Sequence, residues 1–232
     1  MIDWHSHILP EMDDGSRNVT ESLSMLKLLE KQGIDTVVAT PHFYANDESA
    51  ERFLERRAAA YGKIQAEFSQ QFPRILQGAE VRYYQGISRM AGLKRLRIEN
   101  SKLLLLEMPM ERWTEYTVKE LEELAGFGDC RIVLAHIERY LPMQSERTWE
   151  RLYNSRILMQ ANASFFIEMR SSRKAINFLK KGKIQFVGSD CHRMTARPPR
   201  IGEAYERIEK KLGSVFVSQM NEYGYSKIAQ NL

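Results

Sequence analysis

A chain of 232 residues, 43% of them apolar and 28% charged, is long enough to bury one sizeable core and too ordinary in balance to be disordered. Its 34 basic and 30 acidic residues leave a net charge of +4, which is mild and by itself gives no argument for a nucleic-acid partner. The two cysteines, Cys130 and Cys191, follow no leader-like stretch and exclude a disulfide framework, so a cytoplasmic location is expected.

Short apolar segments alternate with helical patterns along the chain. IDWHSH (2–7) reads as a first strand, and VTESLSMLKLLEKQG (19–33) as a helix running from a Thr20 cap to a Gly33 stop. DTVVATPH (35–42) is the next strand, then a helix over ERFLERRAAAYGKIQAEFSQ (51–70), then the strand RILQGAE (74–80). KLLLLEM (102–108) holds the longest apolar run, too short to span a bilayer, so no membrane insertion is expected. TVKELEELAGFG (117–128) is helical, RIVLAH (131–136) and ILMQANA (157–163) are strands, and RKAINFLKKG (173–182) is a helix before the strand KIQFVGSD (183–190). From Arg200 onward one or two closing helices are predicted. Seven such units fit a single α/β domain over residues 1–232, a parallel barrel close to the (β/α)₈ type, in preference to an open doubly wound sheet. Basic residues concentrate in MRSSRKAINFLKKGK (169–183) and CHRMTARPPR (191–200), runs that are usually solvated faces but can draw in an anionic substrate.

All five histidines, His5, His7, His42, His136 and His192, fall at or just after the C-terminal end of a predicted strand. Glu80, Glu107 and Asp190 share that position, and Asp13 and Asp14 follow the first strand closely. In a parallel barrel this is the face that builds the active site. A strand of period two also turns His5 and His7 to one side. Imidazoles mixed with carboxylates, without paired cysteines, suit Mn, Fe, Zn or Co rather than a structural zinc. So many donors exceed the needs of one ion, and two or three divalent metals sharing a bridging carboxylate are expected.

The segments DWHSH, MDDG, ATPH, GAE, LLLLEMP, AHIERY and GSDCHRMTARPP, in this order, resemble the PHP (polymerase and histidinol phosphatase) superfamily over Ile2 to about Ala204. They are most similar to its branch of bacterial manganese-dependent protein-tyrosine phosphatases that regulate capsule and exopolysaccharide synthesis. The resemblance implies a distorted (β/α)₇ TIM-like barrel and three metals. One would be held by His5, His7, Glu80 and Asp190; a second by Glu80, Glu107 and His136; a third by Asp14, His42 and His192. Asp13 competes with Asp14 for that last place, and the sequence does not separate them. Glu107 stands where other branches carry histidine. Arg139 and Arg197 match the pair that grips the phosphoryl group, a task suited to planar guanidinium forks. Ile137 replaces the proline usual in that loop. The implied substrate is a phosphotyrosine protein, with a bacterial tyrosine kinase as partner, and an oligomer is compatible with the resemblance.

Cys191 and Arg197 are also spaced Cys-x5-Arg, as in thiol-dependent tyrosine phosphatases. CHRMTAR lacks the glycine that an anion-cradling loop needs, and Pro198 and Pro199 carry no N–H to donate. The expected nucleophile is therefore hydroxide generated at the metals, attacking phosphorus in line without a covalent enzyme intermediate. A small-molecule phosphoesterase, acting for example on histidinol phosphate, or a nuclease-like relative is the alternative reading. A non-catalytic regulator is a third, opposed by the complete donor set.

Overall fold

The computed structural model describes residues 1–67 and 71–228. In chain order the elements are β1 (Ile2–Ser6), α1 (Val19–Lys31), β2 (Thr36–Ala39), β3 (His42–Phe43), α2 (Ala50–Gln65), β4 (Arg74–Gln77), β5 (Glu80–Arg82), β6 (Leu103–Glu107) and α3 (Glu115–Gly126). There follow β7 (Arg131–Leu134), α4 (Glu146–Tyr153), β8 (Leu158–Asn162), α5 (Ala163–Ile167), α6 (Ser172–Lys180), β9 (Phe186–Gly188), α7 (Ile201–Leu212) and α8 (Ser214–Ile228).

Every strand pair is parallel, in two sheets ordered β1-β2-β4 and β3-β5-β6-β7-β8-β9. Two predicted strands are each split in two. The first breaks at Thr40-Pro41, where proline has no N–H for a ladder; the second breaks at Gly78-Ala79. Past β9, the Asp190 N–H donates to His5 O and the His7 N–H to Cys191 O, both at 2.8 Å, so β1 lies against the chain that follows β9.

Inner-facing Ile2, Trp4, Val38, Leu76, Leu103, Leu105, Val133, Leu158 and Phe186 pack into one buried cluster. The alternate residues Leu104, Leu106, Ile132 and Leu134 face the helices in the larger core. Strands apolar on both faces are what a helix-covered parallel sheet requires.

Local signals explain most boundaries. Asn18, not Thr20, caps α1: its side chain accepts from the Glu21 N–H at 2.9 Å. Gly33 stops that helix as predicted, at φ +75°. The second helix ends at Gln65, and residues 68–70 of its predicted span lie outside the described residues. Between β5 and β6 there are only two short 3₁₀ turns, Ile87–Arg89 and Leu93–Leu96, in place of a helix. The closing segment is two helices, α7 and α8.

Candidate metal centre

β1 delivers His5 and His7 to one side, as period two demands, with their Nε2 atoms 3.1 Å apart. The register of β1 against β2 shifts between Asp3 and Ser6, an irregularity of the kind that re-aims side chains. A Cβ at Gly188 would stand 2.5 Å from His5 Cβ, so β9 approaches this closely only as glycine. A Cβ at Gly15 would lie 2.3 Å from His7 O, which makes glycine obligatory where the Asp13-Asp14 turn folds back.

Glu80, at the start of β5, is the centre of the cluster. Its Oε2 lies 3.1 Å from His5 Nε2, 3.3 Å from His7 Nε2 and 3.1 Å from His42 Nδ1. Its Oε1 lies 2.8 Å from His136 Nε2, which is 3.7 Å from Glu107 Oε1. Asp190 Oδ1 lies 3.5 Å from His7 Nε2 and 3.6 Å from His192 Nδ1. Asp14 Oδ1 is 3.6 Å from His42 Nε2 and 3.4 Å from His192 Nε2. All nine candidate ligands therefore meet in one cluster: His42 and Glu80 open the short strands β3 and β5, Glu107 closes β6, and the others lie on β1 or in the loops past β1, β7 and β9.

Three groups have donor atoms within 4.8 Å of one another: His7, Asp14, His42 and His192; His5, His7 and Asp190; and His42, Glu80 and Glu107. They overlap the sets that the resemblance implies, with His7 and His42 each facing two groups. The donor set fits divalent cations. Glu80 Oε2 and His42 Nδ1 are buried 3.1 Å apart without a well-aligned hydrogen bond, an expensive arrangement that a cation would relieve. His136 and Asp190 have φ of +32° and +51°, strained values that coincide with candidate ligands.

The two aspartates left open by sequence separate here. Asp13 sits behind His7: its Oδ2 accepts from His7 Nδ1 at 2.7 Å and from the His42 N–H at 2.9 Å. Asp14 faces His42 and His192 directly. Burial opposes ionisation of Asp13, yet the charge and hydrogen bond of His7 hold it well below the usual carboxylate range. Burial likewise opposes protonation of His7, and Asp13 carries it well above the ordinary histidine value. Glu80 and Asp190 stay depressed against their burial through the charge of His5. Burial and the neighbouring His7 push His192 down to about 4.

Three outer partners escaped sequence reasoning. Gln160 Oε1 accepts from the His136 N–H at 2.7 Å and lies 3.3 Å from His5 Nδ1, which leaves His5 Nε2 facing the centre. The Gln160 amide donates to Asn162 Oδ1 at 3.0 Å, and the Asn162 amide donates to Asp190 Oδ2 at 2.8 Å. Tyr140 Oη lies 3.2 Å from His136 Nδ1. A detectable signal existed: glutamine and asparagine two apart in a strand otherwise fully buried.

Both predicted arginines reach the centre. Arg139 Nη2 pairs with Asp190 Oδ2, and Arg197 Nη1 donates to the same oxygen at 2.9 Å. They line a cavity of about 510 Å³ with Glu138, Asn162 and Ser164. Cys191 faces the core, fully buried, and burial pushes its thiol up. The loop after it is closed on itself: the His192 N–H donates to Arg197 O at 3.0 Å and the Arg197 N–H to Arg193 O at 3.1 Å. Those donors are occupied, so the Cys-x5-Arg spacing builds no phosphate cradle.

Fold and donor set together define a parallel α/β protein with a cluster of side chains that could hold divalent metals. The chain belongs to the capsular polysaccharide synthesis CpsB/CapC family, whose model matches residues 1–228. It is 30% identical over 231 residues to the tyrosine-protein phosphatase CpsB of Streptococcus agalactiae, covering 95% of this chain and 94% of that one. Against the tyrosine-protein phosphatase YwqE of Bacillus subtilis the identity is 28%, over 96% and 89% of the two chains. A crystal structure from a study of YwqE from Bacillus subtilis and CpsB from Streptococcus pneumoniae, described as metal-dependent tyrosine phosphatases, has the same fold. Its TM-score is 0.82 at 24% identity, over 100% of this chain and 96% of that one.

Proposed function

We propose that this chain is a metal-dependent protein-tyrosine phosphatase acting in capsule or exopolysaccharide synthesis, working as one functional unit on a distorted (β/α)₇ barrel. One observation carries the reading: nine metal-type donors gather in one cluster, and Asp190 joins that cluster to the open cavity that Arg139 and Arg197 line. His5, His7, Glu80 and Asp190 would hold one ion, Glu80, Glu107 and His136 a second, and Asp14, His42 and His192 a third, manganese being the first choice. When bound, such ions supply Lewis acidity toward phosphoryl oxygens and lower the pKa of water.

The chain's own residues do the rest. Arg139 and Arg197 share one oxygen of Asp190 at the cavity wall; with Asp190 engaged by a cation, both guanidinium groups would be free to pair with phosphoryl oxygens. Asp13, Gln160 and Tyr140 hold the imidazole rings of His7, His5 and His136 by their far nitrogens, fixing tautomer and direction. The open cavity admits a phosphotyrosine side chain carried on a protein, and a cytoplasmic bacterial tyrosine kinase is the partner this reading favours.

The test is manganese-reconstituted protein assayed side by side on a phosphotyrosine peptide, p-nitrophenyl phosphate, histidinol phosphate and a short oligonucleotide. The peptide should be hydrolysed with the highest kcat/KM. Preference for histidinol phosphate or the oligonucleotide would overturn the reading.

A further inference from the structure

The cavity that holds Arg139 and Arg197 does not end at them. Ile167 and Glu168 form part of its wall, and Met169, the next residue, begins a second cavity of about 320 Å³ between α6 and α7. The two cavities therefore meet the chain at adjacent residues, Glu168 and Met169. The second cavity is walled by Met169, Ser172, Arg173, Ile176, Arg207 and Lys211.

Its charge is one-sided. Arg207 and Lys211 lie four apart on α7 and share a face, with Arg173 entering from α6. Among the wall residues there is no acid, and the hydrogen bond of Arg207 goes to Ser172 Oγ at 3.1 Å. Glu203, one turn before Arg207, is already taken: it accepts both the Nε and Nη2 hydrogens of Arg200 at 2.7 Å. These cations come from the basic run 169–183 and from α7, and the run 191–200 supplies Arg197 and Arg200 to the first cavity. The fold thus lays the first run beside the phosphate cavity that the second one lines.

We propose that this groove receives acidic side chains flanking the phosphotyrosine, so that the protein substrate is dephosphorylated best within an acidic stretch. The inference rests on the phosphatase reading above and names the class of sequence around the target. A concave, three-cation groove beside the phosphate cavity matches carboxylate side chains on a bound peptide. Single-stranded nucleic acid would call for aromatic stacking platforms, and the wall has none.

The experiment compares wild type with the double reversal Arg173→Glu/Lys211→Glu, both positions being exposed. Manganese-loaded protein is assayed on p-nitrophenyl phosphate, on a phosphotyrosine peptide with neutral flanks, and on one flanked by Asp and Glu. The reversal should raise KM for the acidic peptide about tenfold with kcat unchanged, and should leave the other two substrates unchanged. The wild-type preference for the acidic peptide should shrink at high salt. An equal KM for both peptides in wild type, or an equal loss on p-nitrophenyl phosphate in the variant, would overturn it. So would a reversal that abolishes binding to vesicles of anionic lipid while leaving the peptide KM alone. If no phosphate ester is hydrolysed, the phosphatase reading fails by itself. Fluorescence anisotropy of the labelled acidic peptide then decides the groove: binding lost on reversal supports it, and unchanged binding defeats it.

Discussion

Along the inner faces of the same strands two layers of opposite character lie end to end. On β6 the inward series runs Leu103, Leu105, Glu107; on β8 it runs Leu158, Gln160, Asn162; past β9 it runs Phe186, Gly188, Asp190. One period-two face begins apolar and finishes ionisable. The apolar layer holds through burial alone, at roughly 25 cal/mol per Å². The ionisable layer has no such support. Its imidazoles and carboxylates are held by one another, with the buried Glu80 Oε2 within 3.3 Å of His5, His7 and His42. One layer stabilises the fold; the other has the donor chemistry that cations ask for.

The largest effects should separate the layers completely. Chelation, or His7→Ala, should lower turnover by about three orders of magnitude or more while the folded state persists. Manganese should restore the chelated wild type and not the variant. Metal analysis should find two or three ions per wild-type chain, and anomalous scattering should place them beside His5 and His7. At most one ion, or ions elsewhere, would break the contrast.

In the apolar layer the consequence is reversed. Phe186 is buried, its ring centroid 4.1 Å from that of Trp4. Phe186→Ala should cost about 3–5 kcal/mol of stability. Denaturant melts should register that loss while kcat per folded molecule stays near wild type. A variant that keeps its stability and loses its chemistry would show that the layers are not separable.

At the rim, Arg197→Ala should remove about 2–4 kcal/mol of transition-state stabilisation with little change in melting temperature. Wild-type activity together with wild-type inhibition by phosphate would remove Arg197 from the site. Behind the rim, Gln160→Leu should weaken metal affinity by about 10–100-fold, read by competition with a chromogenic chelator. Unchanged affinity would mean that His5 is oriented without it.

How far the sequence alone reached follows the same division. The histidines and acids were legible because costly residues at strand ends have few structural uses, and the fold brings the nine side chains together. What was illegible depends on contacts distant in sequence. Asp13 and Asp14 are neighbours in the chain, and only the fold puts one behind His7 and the other before His42 and His192. Strand breaks at Pro41 and Gly78 were hidden inside continuous apolar patterns. The short helices α4 and α5 gave too few turns of periodicity, and α5 follows β8 with no intervening residue, so the strand reading ran on to Ala163 and the rest of α5 stayed unassigned.

The smallest expected effect discriminates most finely between chemistries. Cys191 lies between Asp190 and His192, and its spacing to Arg197 imitates a thiol phosphatase, so a sulfur nucleophile and a metal site would share both product and arginine. The geometry separates them. The sulfur belongs to the buried core, burial pushes its thiol up, and in the loop beyond it the His192 and Arg197 N–H groups go to the loop's own carbonyls and that of Met194 to Glu21. A thiolate is the reactive form, and this environment opposes it. Cys191→Ser should therefore keep activity within about twofold, since serine fits the space and no thiolate is required. Alkylation is the poorer probe, because a bulky adduct beside Asp190 and His192 would disturb the ligands and mimic a catalytic cysteine. Vanadate inhibits both classes and discriminates nothing. The measurement is kcat/KM of the serine variant alongside its metal content. An inactive variant that retains its metals, beside a wild type that resists chelation, would transfer the chemistry from the cluster to the sulfur.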